Sequence, residues 1–120
     1  MDRIMLKSKL HRATITEACL DYEGSIAIDE TLMEAADFLP YERVDIYNVS
    51  NGERFSTYVI KGKRDSGIIC LNGAAARKGS KGDLIIIASY VNVEDREARN
   101  WKARCVFLDE KNEIKKKKVD

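Results

Sequence analysis

With 120 residues, 44% of them hydrophobic and 34% charged, the chain reads as one globular domain, since single domains commonly run ~100–150 residues and disordered chains lack that apolar share. Its net charge of +1 gives no general attraction for nucleic acid, which a strongly basic face would announce. Cys19, Cys70 and Cys105 are odd in number and contain no CxxC, so neither a disulfide framework nor a zinc site is expected, and they read as small buried apolar residues.

The first residues, Met1-Asp2-Arg3-Ile4-Met5-Leu6-Lys7, lack the apolar core and cleavage site of a signal peptide. The longest apolar stretch, 84–91, is far short of the ~18 residues of a membrane span, so no membrane partner is expected and a cytoplasmic location is. Residues 4–15 alternate and then turn β-branched, which predicts one or two strands. Lys9 and His11 share a parity there and project from one face if the strand is regular. The single histidine reads as a hydrogen-bonded structural residue, with no second histidine to form a metal pair.

Next comes Asp21-Tyr22-Glu23-Gly24-Ser25. The Ser25 hydroxyl adjoins the carbonyl carbon of Gly24, so in the right conformation Oγ can attack it and turn an amide into an ester. Glycine opens backbone conformations closed to other residues. Taken alone, Gly-Ser before an apolar run is a turn entering a strand. Ile26-Ala27-Ile28 is that strand, Asp29 is a helix N-cap, and Leu32, Met33 and Ala36 share the buried face of a helix over 30–38 that Pro40 prevents from continuing. Strands over 44–49 and 54–60 flank Asn51-Gly52, a hairpin signal. On the second of them Arg54, Ser56 and Tyr58 share a face, and Thr57 points to the other unless the strand bulges.

A compact strand at 68–71 ends in Asn72-Gly73-Ala74-Ala75-Ala76-Arg77, small residues that form a tight corner or let backbone N–H groups approach a ligand. A buried strand over 84–91 follows, then a short charged helix capped by Asn92, and a last strand over 102–108. Lys115-Lys116-Lys117-Lys118 reads as a solvated, frayed terminus. Many short strands without a βαβ rhythm predict a β-barrel or sandwich. No nucleophile elbow, HExxH, P-loop or GxGxxG is present.

Three separated motifs, Tyr22-Glu23-Gly24-Ser25, Asn51-Gly52-Glu53-Arg54-Phe55-Ser56-Thr57-Tyr58 and Asn72-Gly73-Ala74-Ala75-Ala76-Arg77, resemble those of the pyruvoyl-dependent aspartate 1-decarboxylases. The similarity runs from Met5 to Trp101; one departure is Lys102-Ala103, where family members often carry a proline. The resemblance implies a mainly β fold, a small six-stranded double-psi β-barrel with short helices, in a homotetramer with sites between subunits. It implies self-cleavage between Gly24 and Ser25 into chains 1–24 and 25–120, spontaneous or helped by a maturation factor. Ser25 would become a covalent pyruvoyl group, which decarboxylates L-aspartate to β-alanine through a Schiff base and supplies pantothenate biosynthesis.

By the same resemblance Thr57 donates to the oxyanion of the acyl shift and Tyr58 is the general acid that protonates Cα. Arg54 and Lys9 bind the substrate carboxylates as a planar fork and a point charge, with Thr57, Gly73, Ala74 and Ala75 alongside. His11, Tyr22 and Asn72 are supporting residues. The alternative from another class is a non-enzymatic small β-barrel interaction module, in which Gly24-Ser25 is a turn and the lysine run contacts phosphates.

Overall fold

Alternation of apolar residues organises the sheet: Ile26 and Ile28, Ile69 and Leu71, and Ile85 and Ile87 are each fully buried, while their strand neighbours face outward or toward the edges of the barrel. The computed structural model describes residues 1–120. In chain order these form β1 (Asp2–Thr14), β2 (Glu17–Cys19), β3 (Ser25–Asp29), α1 (Glu30–Ala36), β4 (Arg43–Asn48), β5 (Arg54–Gly62) and β6 (Ile69–Asn72). A 3-10 turn (Gly73–Arg77), β7 (Leu84–Glu94), α2 (Asp95–Ala98), β8 (Arg104–Leu108) and β9 (Ile114–Val119) complete the fold.

Along the sheet the strands run β2-β6-β3-β5-β4-β7-β1-β8-β9. Only Ile15 and Thr16 separate β1 from β2, and they carry the chain from the seventh place in that order to the first. Ile15 N–H donates to the Asp83 carbonyl beside β7 (2.9 Å), and Thr16 N–H donates to the Ile69 carbonyl of β6 (2.8 Å). The Thr16 hydroxyl also takes the Ile69 N–H at 3.0 Å. Counted as one bent strand, β1 and β2 therefore close a six-stranded barrel with β6, β3, β5, β4 and β7, as expected, and closure leaves these strands no open edge. β8 lies parallel to β1 outside this ring, and β9 pairs antiparallel with β8.

α1 covers one end of the barrel with Leu32, Met33 and Ala36, and Phe38 joins the same core. Asp29 caps it by accepting Thr31 N–H at 2.9 Å, as the sequence predicts. The helix stops at Ala36, two residues sooner than expected. Asp37 takes a left-handed conformation (φ 58°), and Phe38 N–H reaches back to the Met33 carbonyl at 2.8 Å. The hairpin at Asn51-Gly52 forms, with Gly52 at φ 80° and Tyr47 opposite Arg54.

Several expectations are corrected. The lysine run is strand β9 rather than a frayed end; its side chains are solvated, but its backbone is paired with β8. The turn before it is fixed by buried Asn112, whose amide bonds Thr14 and Gly67. β7 runs on to Glu94 because it pairs with the start of β1, so Asn92 lies in a strand and caps nothing. Of the cysteines only Cys70 is buried; Cys19 and Cys105 are half-buried. No helix is long and apolar enough to cross a membrane.

Candidate active site

Ser25 begins β3 and Asn72 ends β6, and the antiparallel register sets them opposite one another. Their side chains, with those of Ala27 and Cys70, share the outer face of the barrel, since Ile26, Leu71 and Ile69 take the inner one. Ser25 is 2% exposed and Asn72 6%, so this is an outward face under cover. Asn72 Nδ2 donates to Ser25 Oγ at 3.1 Å, and the Cys70 thiol donates to Asn72 Oδ1 at 3.3 Å. Burial, then the nearby Glu17 carboxylate, pushes the Cys70 thiol up from its ordinary pKa.

The cover is the backbone of residues 22–24, and Gly73 is what lets it lie so close. A Cβ on Gly73 would stand 2.7 Å from both Gly24 N and Tyr22 O, and its φ of +64° belongs to the left-handed region. Gly24 itself is different. A Cβ there would meet nothing within 4 Å, and its φ is not left-handed, so the steric demand for glycine at this corner falls on position 73.

Two cavities flank the Gly24–Ser25 bond. One, of about 540 Å³, is lined by Ser25, Asn72, Cys70, Tyr22, Tyr41 and Tyr58. The other, of about 400 Å³, includes Gly24, Thr57, Ala74 and Ala75 in its lining, and Tyr58 reaches both. β5 carries no bulge here, so Thr57 and Tyr58 point to opposite faces as alternation requires. The alternation puts Thr57 on the Gly24 side of the bond and Tyr58 on the Ser25 side. The Tyr58 ring lies 6.3 Å from that of Tyr41, a non-glycine residue held at φ 70°.

Lys9, His11 and Arg54 gather elsewhere on the outer face. Cross-strand pairing sets Phe107, His11, Ile86, Tyr47 and Arg54 in one row, and Cys105, Lys9 and Ala88 in the next. β1 bulges on either side of this stretch, between Leu6 and Ser8 and between His11 and Ala13, so Lys9 and His11 do keep one face. The Arg54 guanidinium stacks on the Tyr47 ring, 4.0 Å from its centroid. Tyr47 shares a 2.7 Å hydrogen bond with Tyr90, and burial together with that bond pushes its pKa up to about 12. Neither Lys9 nor Arg54 belongs to an ion pair.

His11 corrects its expectation in part: it packs edge-on to Phe107 at 5.3 Å, but its buried Nδ1 has no hydrogen-bond partner. Burial, then the charges of Lys9 and Arg12, holds its pKa below the usual value. Arg54 and Tyr58 are four residues apart on β5, roughly 13 Å at a rise of ~3.3 Å per residue. The candidate residues therefore form two groups in one chain: Tyr22, Gly24, Ser25, Thr57, Tyr58 and 72–75 around the bond, and Lys9, His11 and Arg54 on a separate basic patch.

Comparison with known proteins decides what this arrangement belongs to. A sequence model of the family described as aspartate decarboxylase matches residues 1–115. The chain belongs to the aspartate decarboxylase family. A protein of Syntrophus aciditrophicus (strain SB) named aspartate 1-decarboxylase is 71% identical over 115 residues, covering 96% of this chain and 99% of its own. Proteins of the same name from Ralstonia pickettii (strain 12J) and Thermoanaerobacter pseudethanolicus (strain ATCC 33223 / 39E) are 58% and 56% identical, over 96% and 93% of this chain and 96% of each relative.

Within this aspartate decarboxylase fold, sequence reasoning missed Cys70, Tyr41 and Tyr47 as neighbours of the candidate residues. Cys70 was within reach: it stands two residues before Asn72 on a strand, which puts both on one face. Tyr47 was visible only through its hairpin register with Arg54, and Tyr41 through a backbone conformation that its residue type does not suggest.

Proposed function

We propose that this aspartate decarboxylase acts on L-aspartate at the α-carboxylate, releasing carbon dioxide and β-alanine for pantothenate biosynthesis. Its cofactor would be a pyruvoyl group made from Ser25 by cleavage of the Gly24–Ser25 bond, giving chains 1–24 and 25–120. The observation that carries this reading is the bond itself. It lies between two cavities, with Ser25 Oγ buried and held by Asn72 and with the preceding backbone seated on Gly73.

In the first step Oγ adds to the Gly24 carbonyl carbon, the C–N bond breaks, and the hydroxyl proton passes to the departing nitrogen, leaving an ester and a free amine. Loss of the Cα proton of residue 25 then expels the Gly24 carboxylate, and water replaces the nitrogen as ammonia leaves. Thr57, on the Gly24 side, would donate to the carbonyl oxygen as it gains charge, an effect worth on the order of 10²–10³ in rate.

The site fits such a group: a buried position 25, a donor amide at Asn72 and a cavity opening beyond it. When present, the ketone supplies an electron sink for the bond to the α-carboxylate. Tyr58, on the Ser25 side, holds the proton that Cα takes. Ala74 and Ala75 wall the Gly24 side, and Tyr22 the other. Arg54 and Lys9 carry the cations a dicarboxylate needs, and their unpaired charges are available for it.

Aspartate spans only a few ångströms, so the patch of Arg54 and Lys9 would serve a bond in another copy, in a cytoplasmic homotetramer with sites between chains. His11 would support Lys9 in that patch.

Denaturing intact-mass measurement tests the cut. Wild-type protein should give residues 1–24 and a second piece blocked to N-terminal sequencing, and Ser25→Ala should stay whole. A single wild-type chain after prolonged incubation refutes self-processing. Carbon dioxide release from aspartate should exceed that from glutamate, and equal rates would contradict the substrate assignment.

A further inference from the structure

Asn72 is the pivot of the buried face beside the Gly24–Ser25 bond, and its amide has two ends. With Nδ2 toward Ser25, as found, Oγ accepts a hydrogen bond and its own proton points away from Asn72. Turned over, Oδ1 would accept the Ser25 hydroxyl and hold its proton on the atom that has to lose it. The two orientations fill the same space. What separates them chemically is the group at the far end of the amide.

That group is the thiol of Cys70, 3.3 Å from Asn72 Oδ1 and 5% exposed. A thiol that keeps its proton offers a donor, and a donor pairs with the oxygen end of an amide. Burial and the Glu17 carboxylate both favour the protonated thiol, so the donor persists at neutral pH and above. Cys70 and Asn72 alternate onto one face of β6, and Ala27 and Ser25 stand opposite them in register, so backbone pairing holds the row in place.

We propose that Cys70 is a positioning residue for self-cleavage: its thiol donates to Asn72 Oδ1 and so fixes the amide with its NH₂ toward Ser25 Oγ. The donated N–H then supports the charge left on Oγ as its proton is withdrawn, and that proton, pointing away from Asn72, is free to move to the departing nitrogen. This inference rests on the cleavage reading above and adds to it the residue that sets the direction of the hydrogen bond at the nucleophile.

The test compares wild type with Cys70→Ala, Cys70→Val and Cys70→Ser, following loss of intact chain by denaturing mass measurement from freshly purified precursor. Serine keeps a donor; valine keeps volume and has none, so packing is controlled if alanine leaves a void. Alanine and valine should slow cleavage about tenfold, the rate equivalent of one hydrogen bond, and serine should stay within about threefold of wild type. Valine cleaving at the wild-type rate, or serine as slow as valine, overturns the role of Cys70 while leaving the cut intact. Wild type that never splits overturns both.

Discussion

Replacing Gly73 with alanine asks how much of the corner at residues 22–24 is held by a missing side chain. An L-residue in the left-handed region costs ~1–2 kcal/mol. The added Cβ would also sit 2.7 Å from Gly24 N and Tyr22 O and 2.8 Å from Gly24 Cα, all backbone atoms that cannot rotate aside. Overpacking of that kind typically adds ~1–3 kcal/mol. The sum, about 2–5 kcal/mol, is a large part of an ordinary domain's ~5–15 kcal/mol but does not exceed it. The variant should therefore fold, with its melting temperature lowered by about 8–20 °C for a chain of this size.

Gly24→Ala is the paired control, because a Cβ there meets nothing within 4 Å, and it should change stability by less than ~0.5 kcal/mol. Both are best melted in a Ser25→Ala background, so that every sample is the same uncut chain. With Ser25 restored, Gly73→Ala should also cleave at least about 100-fold more slowly, the scale on which an ångström of misplacement acts. A Gly73→Ala protein as stable as its parent and cut at the parental rate would refute the reasoning.

Tyr90→Phe removes the hydroxyl that partners Tyr47, so the Tyr47 phenol should titrate below its value of about 12, read by ultraviolet absorbance at alkaline pH; an unmoved titration contradicts the pairing. Asn112→Ala abolishes three hydrogen bonds that join Thr14, Gly67 and the turn before β9, and should cost ~2–4 kcal/mol in urea unfolding because their half-buried partners lose them together. Burial raises the Glu42 pKa, but hydrogen bonds from Ser89, the Leu39 N–H and Lys7 outweigh it, and the net shift is downward. A depressed carboxylate stabilises the fold above its unfolded pKa near 4.5 and loses that contribution as pH falls through the lower folded value. Melting temperature should thus fall more steeply below pH 4.5 in wild type than in Glu42→Gln, and parallel curves would count against it.

What was legible in the sequence was local. Asn51-Gly52 specified a turn, Asp29 a cap, and the Ile26-Ala27-Ile28 alternation a buried strand, because each depends on neighbours a few residues away. Barrel closure was not legible: it depends on Thr16 reaching Ile69, a pairing that nothing around Thr16 advertises. β9 was missed because lysines on both its faces leave no alternation to read, and only its pairing with β8 reveals a strand. The grouping of Ser25 with Asn72 came from motif resemblance, and the physical cause, their register across β3 and β6, became visible only in three dimensions. The separation of Arg54 from Tyr58 was implicit in their spacing on one strand, although they share a face.

The continuous path of β1 and β2 gives the proposed cut an unusual outcome. Residues 1–24 hold one whole stave of the barrel, hydrogen-bonded to β7 and β8 along β1 and to β6 along β2. Breaking the bond at Gly24 would therefore sever the chain without releasing a piece: the short peptide would stay paired in place as the second strand-bearing chain of the barrel. It also imposes an order of events, since a peptide freed before the barrel closed would have to find its slot by diffusion, whereas one cut afterwards is already seated.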